Sequence, residues 1–455
     1  MKHILLATTG ESPQVVTETL YAIWREDRAS WPVEIHLITT TLGKERAEDG
    51  LIKRGHLARL CSELDMPPPR FDESHIKVVT DAAKRRADDA RSLEDHEALA
   101  DFIMNEVRKH TAEQGAEETA VHASLAGGRK TMTFYLGYAM SLFGRRQDRL
   151  SHVLISKGFE GNRDFWFPTQ SAEYRHLKDR DGKALDAAKA EVTLAPIPFI
   201  RHRQELPSNL HSRKKKGSEE VTFRELVQLI NLGEQTDDLC VEVSLQRRLL
   251  QISDVQGTLK REIPLGLLEL AFYAMMTRAT LASNTEFFRP GRGHASVSLA
   301  QQFLREFLAI RGMPQYDSLS GAVAALEDWL GSGIRSSRDP FRASTLNALK
   351  NGMAYTFFDK RLTEIRKTLE ASLPQSLCKR LIPTIIWSEQ GLPLRDKLKA
   401  LEEAKARHKE QMQQAKGKMR KASPPEAADK ESYSRFDGGY GLDINVENIR
   451  LIEAS

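Results

Sequence analysis

Five short apolar runs, each separated from the next by a helical stretch, constrain the first 200 residues more than any other feature of this chain. HILLA (3–7), EIHLITT (34–40), HIKVVT (75–80), TAVHASL (119–125) and SHVLIS (151–156) read as strands. Stretches near 13–25, 43–62, 93–113 and 129–143 read as helices. Apolar strands that alternate with helices build a mostly parallel sheet covered on both faces. In the stretch 129–143, Met132, Tyr135, Leu136, Ala139, Leu142 and Phe143 fall at three- and four-residue spacing, so one face should pack on that sheet. EVTLAPIPF (191–199) is expected to add a closing strand.

Residues 201–218 break the pattern. They carry Pro, Ser, Gly and a Lys/Arg run without apolar period, as a linker does. The expected organisation is a domain at 1–200, a linker at 201–220 and a second, mainly helical domain at 221–455. Thr222 and Glu225 form a capping-box pair at the start of the latter. CVEVSLQRRLLQIS (240–253) reads as two strands joined by a turn near Gln246–Arg247. Helices are expected at 264–279, 297–311, 319–331, 342–372 and 374–386. Residues 396–421 read as a polar helix, 421–432 as disordered and 435–453 as a Gly-Gly hairpin.

Bulk properties exclude several classes. The chain has 455 residues and a formal net charge of only +4, so any nucleic-acid surface must be a local patch. Its three cysteines, Cys61, Cys240 and Cys378, lie far apart, which argues against a disulfide framework. The thirteen histidines form no HxH or HExxH motif, so neither a metal nor a cofactor is expected. The apolar run at the N-terminus is too short for a signal peptide, and no segment is long enough to span a membrane. A cytoplasmic protein is expected.

Two loops carry the candidate chemistry. TTGESP supplies Thr8, Thr9, Gly10, Glu11, Ser12 and Pro13, then Gln14; it follows the first strand and opens a helix. Ser12 is the expected N-cap, with Pro13 as first helical residue. SLAGGRKT supplies Gly127, Gly128, Arg129, Lys130 and Thr131 after the fourth strand and opens another helix. Helix N-termini present unpaired N–H groups and attract anions. Two such starts at strand ends of one sheet suit a ligand with more than one phosphate. Each loop alone is also an ordinary turn. Neither is a P-loop, because AGGRKT lacks the GxxxxGK spacing, and no GxGxxG follows the first strand.

HILLATTGESPQVVTETLYAI, ITTTLGKERAEDGLI (38–52) and SLAGGRKTM together resemble CRISPR-associated Rossmann-fold (CARF) domains, specifically the ring nuclease and sensor group typed by the Nitrosomonas europaea CRISPR-associated protein. The resemblance covers roughly residues 1–200 and implies a Rossmann-like α/β fold. It also implies a homodimer that binds a cyclic oligoadenylate, usually the tetra-adenylate, and in some members cleaves it without metal by 2′-OH attack. On that resemblance Ser12 would position the scissile phosphate, and Lys130 would stabilise the transition state with Arg129 and the Gly127 and Gly128 N–H groups. Gln14 would reach an adenine edge or face solvent, and Thr40 and Thr41 read as turn residues.

The second half resembles winged-helix domains of the OmpR type. VEVSLQRRLLQI and IPLGLLELAFYAMM match their start, FFDKRLTEIRKTLEASLP (357–374) their recognition helix and GGYGLDINVENIRL (438–451) their closing wing. That resemblance implies DNA contact through Lys360, Arg361, Arg366 and Lys367; a solvated helix face or a docking surface accounts for the same residues. The alternatives to a ring nuclease are therefore a ligand-gated DNA-binding regulator and a non-catalytic sensor.

Overall fold

A computed structural model describes residues 1–81, 83–85, 92–112, 118–211, 221–235, 237–332, 339–387 and 439–454. The chain divides into two compact units, Met1–Val227 and Gln228–Ser455.

The first unit is built on six strands: β1 (Lys2–Thr8), β2 (Pro32–Thr39), β3 (Ile76–Val78), β4 (Thr119–Ser124), β5 (Arg149–Ile155) and, later in the chain, β8 (Val192–Pro196). Their order in the sheet is β3-β2-β1-β4-β5-β8. The first five run parallel and β8 pairs antiparallel with β5. This is the strand order of doubly wound folds, with its reversal point between β1 and β4. Helices α1 (Gln14–Glu26), α2 (Thr41–Ala47), α3 (His56–Glu63), α4 (Leu93–Thr111) and α5 (Lys130–Phe143) connect the strands.

Strand alternation divides the core between the faces. Leu5, Ala7, Ile35 and Leu37 join Val16 and Leu20 of α1 and Leu57 and Leu60 of α3 in one apolar cluster. On α4, Ile103, Met104 and Val107 are buried, as are Met132, Leu136 and Ala139 on α5. Full burial of one such aliphatic side chain contributes about 1.5–3 kcal/mol. The expected helix at 43–62 is instead α2, a π-helical segment (Glu48–Lys53) and α3. Gly55, at φ +69°, starts α3 from the left-handed region. A short helix α6 (Ala172–Arg175) and a ribbon of β6 (His176–Lys178) and β7 (Ala184–Asp186) precede β8.

Helix α7 (Phe223–Glu234) straddles the division between units. Thr222 caps it, accepting the Glu225 N–H at 3.1 Å. In the second unit β9 (Leu239–Ser244), β10 (Leu249–Asp254) and β11 (Lys260–Pro264) form an antiparallel meander against the largely buried α8 (Leu267–Leu281). The unit continues through β12 (Ala295–Ser296), α9 (Val297–Ile310), α10 (Leu319–Gly331), α11 (Ala343–Asn347), β13 (Met353–Ala354), α12 (Tyr355–Ser372), α13 (Gln375–Leu381), β14 (Thr384–Trp387), β15 (Gly439–Gly441) and β16 (Ile449–Ile452).

Three expectations fail here. The helix at 342–372 is broken, because Gly352 adopts φ +111° and feeds β13, which pairs with β12. The helix at 374–386 stops before Pro383, and the β-branched Ile385–Ile386 continue as a strand. The closing hairpin does not form among the described residues: β15 pairs with β14, whereas β16 runs parallel to β9. Residues 396–421, 421–432 and 435–438, and 212–220 of the expected linker, lie outside the described residues. Among the described residues no helix is long and apolar enough to cross a membrane.

Candidate functional site

Ligands of open parallel sheets bind beyond the carboxyl ends of the strands where the strand order reverses. Here those ends are Thr8 of β1 and Ser124 of β4, and the loops that follow them are TTGESP and SLAGGRKT. The two loops are joined directly. Thr8 Oγ1 donates to the Gly127 carbonyl at 2.7 Å. A Cβ at Gly10 would lie 3.7 Å from Gly128 Cα. One at Gly127 would come within 3.2 Å of the Thr8 carbonyl oxygen, and Gly128 takes φ +99°. Glycines therefore let the loops touch backbone to backbone.

The first loop is braced from within the sheet. Thr9 N–H donates to Ile38 O at 3.0 Å, Thr9 Oγ1 to Ser12 O at 3.0 Å and Thr39 Oγ1 to Thr9 O at 2.7 Å. Thr8, Thr9 and Thr39 are fully buried, so their hydroxyls shape the loop instead of facing a ligand. Ser12 is not the N-cap. The cap position is Pro13 and has no capping side chain. Ser12 and Glu11 are exposed, whereas Pro13 is buried. Helix α5 likewise starts without side-chain capping, at Arg129. Gly128, Arg129 and Lys130 are exposed and Thr131 is half-buried. Both helix starts therefore present first-turn N–H groups that no side chain caps.

A third start adjoins them. Thr40, expected as a turn residue, caps α2 by accepting the Gly43 N–H at 3.2 Å, and Thr41 is the first helical residue. Gly43 was not singled out from the sequence. A Cβ there would come within 2.6 Å of the Gly10 carbonyl oxygen and 2.0 Å of Thr39 Oγ1. Its signal lay in the LGKE run, where a helix-interior glycine needs a packing reason.

Beside the loops opens a cleft of about 280 Å³. Ser12 of the first loop and Ala126 of the second line it, with Gln14, Glu18, His152, Glu160 and Arg163. Lys130 is not in its lining, and among the described residues no hydrogen bond or ion pair joins Lys130 to Ser12. Gln14 does not face solvent. It is 8% exposed, its amide nitrogen donates to Arg163 O at 2.7 Å, and its Oε1 is buried without a partner. Glu18, one helical turn along, is 5% exposed. Burial, reinforced by the neighbouring Glu160 carboxylate, pushes its acid up to about 8. The cleft thus offers a protonated carboxyl and a free amide oxygen, one donor and one acceptor fit for the edge of a neutral heterocycle.

In the second unit, Lys360, Arg366 and Lys367 are exposed on α12 and Lys367 pairs with Glu364 at 3.1 Å. Arg361 is buried, with its guanidinium on Glu269 and Phe357 beneath it. It holds α12 to α8, and it cannot reach a nucleic acid while so engaged.

No curated protein matches the chain at a significant level. Residues 12–229, just under half the chain, match the family described as CRISPR-associated protein NE0113 (Cas_NE0113). The matched span runs from Ser12 through the second loop and nearly all of the first unit. That match makes the first unit similar to CRISPR-associated proteins of the NE0113 type and supports that assignment.

Proposed function

We propose that the first unit binds a cyclic oligoadenylate, foremost the tetra-adenylate, at the two-fold axis of a homodimer in type III CRISPR signalling. It then cleaves the ring without metal and so ends the signal. The observation that carries this is the meeting of two uncapped helix starts at the point where the strand order reverses. A ring of phosphates matches paired anion sites, and the adjoining cleft, with Gln14 Oε1 and the Glu18 acid, suits an adenine edge.

In the reaction a ribose 2′-hydroxyl gives up its proton to solvent as its oxygen forms a bond to the adjacent phosphorus. The 5′-oxygen leaves and takes up a proton, which yields a linear product with a 2′,3′-cyclic phosphate and a 5′-hydroxyl. Ser12 positions the scissile phosphate in line. Lys130, with Arg129 and the Gly127 and Gly128 N–H groups, neutralises charge as it develops on the phosphoryl oxygens. Positioning without a general base makes a slow enzyme, as a timer requires.

The test is incubation of the full chain with cyclic tetra-adenylate in EDTA, followed by chromatography for linear di-adenylate. Lys130→Ala should lower turnover about 10²–10³-fold and leave Kd within a few-fold, since the charge it meets develops in the transition state. No product at stoichiometric enzyme defeats the cleavage proposal. Tight binding without turnover would leave a sensor only, and absence of binding would remove the ligand as well.

A further inference from the structure

Away from the loops, two histidines distant in sequence converge on one carboxylate, with a third beside them. Glu34 and His36 are two residues apart on β2, so they share a face of the sheet, opposite Ile35 and Leu37. His75 arrives from the turn before β3. His36 Nε2 lies 2.8 Å and His75 Nε2 3.3 Å from the same Glu34 oxygen, Oε1. One ligand atom from each of the three residues falls within 4.8 Å of the others. His36 and His75 are each 6% exposed. Neither ring nitrogen of His36 makes a hydrogen bond, its Nε2 lying near Glu34 but out of bonding direction. An imidazole buried with both nitrogens unpartnered is costly unless something else occupies its lone pair.

The surroundings continue the pattern. His75 Nδ1 sits 2.8 Å from Asp72 Oδ1 and 3.2 Å from the Asp72 N–H. The Asp72 N–H donates to Nδ1 in the tautomer that leaves this nitrogen bare; in the other tautomer, with the Nδ1 proton donated to the Asp72 carboxylate in place of that bond, His75 turns the Nε2 lone pair toward Glu34 and His36. A carboxylate behind a histidine orients metal-bound imidazoles in this way. The His110 ring of α4 lies 4.2 Å from that of His36, and its buried Nε2, like Glu106 Oε2, has no hydrogen-bond partner. The opposing group is Arg70, which donates to Glu34 Oε1 at 2.7 Å from an exposed side chain free to swing into solvent.

We propose that Glu34, His36 and His75 bind a divalent transition metal of the zinc class, with His110 beside the fourth position. Two imidazoles and a carboxylate are a donor set this ion accepts. It would fasten the three-residue strand β3 and helix α4 to β2. It takes no part in the cleavage proposed above and does not rest on it.

The test uses the full chain, stripped with EDTA and dialysed, then titrated with Co²⁺ alone and displaced by Zn²⁺. Expected is one Co²⁺ per chain, with visible absorption of a four-coordinate site and a thermal midpoint that rises with Zn²⁺. Asp72→Asn should weaken uptake about tenfold. Glu34→Gln and His36→Ala should weaken it at least as much, and His176→Ala, at an exposed histidine, should leave it unchanged. Failure of the wild-type chain to take up stoichiometric Co²⁺ or Zn²⁺ overturns the site without reference to any variant. Uptake undiminished in Glu34→Gln overturns it equally.

Discussion

Glu18 shows how a single side chain reports on the cleft. It is an acid in the second turn of α1, surrounded by protein and near Glu160. Its pKa is raised from the ordinary carboxylate value to about 8 by burial first and by Glu160 second. The sign follows from linkage. The folded state keeps the proton that the unfolded chain releases, so the contribution is complete below the unfolded pKa and is lost as pH rises toward 8. Glu18→Gln should therefore stabilise the protein at pH 8 by up to about 4 kcal/mol and have little effect at pH 4. Urea melts at the two pH values check this. An equal effect at both would mean that the acid is not held protonated.

Between residues and the whole lie the elements, and at that scale Gly43 decides how the loops sit. Gly43→Ala must displace either the Gly10 carbonyl or Thr39, which itself holds Thr9. A loss of about 1–3 kcal/mol in stability is expected, together with weaker binding of cyclic tetra-adenylate, measured by calorimetry. The same element explains what sequence could reveal. The six strands and the loops after β1 and β4 were legible, because apolar runs, Pro13 and the Gly-Gly pair act locally. Gly43 was not, since its constraint comes from a neighbouring strand end. Nor were the cleft lining beyond Ser12 and Gln14, or the meeting of Glu34, His36 and His75, which depends on β2 and β3 becoming neighbours. Arg361 failed as an expected surface contact for a related reason: only the packing of α12 against α8 reveals its Glu269 partner.

At the scale of the molecule, buried neutral imidazoles set the response to acid. His122 on β4 is 4% exposed, bonded to Ser151 Oγ at 2.7 Å, and burial lowers it to about 4. His56, stacked on Trp166 at 4.0 Å, is likewise lowered to about 4, by burial and then by Arg59 and Arg54. Such groups protonate in the unfolded chain before the folded one, so their contribution is whole above pH 6.5 and drains away as pH falls toward 4. The cost from His122 should be on the order of 2 kcal/mol at pH 4. His122→Asn should flatten the fall in melting temperature between pH 7 and 4.5; an unchanged slope would exclude His122 as a source. The sheet itself sets a limit on partners. One margin is β3, three residues long, and the other is β8, which ends in Pro196 and so lacks an amide hydrogen there. Neither border offers a lengthy ladder for a stranger to zip onto. Among the described residues, then, the proposed second copy is expected to dock through helical flanks, such as the one where Phe134 and Tyr138 stand exposed on α5, and not by stitching two sheets into one ribbon.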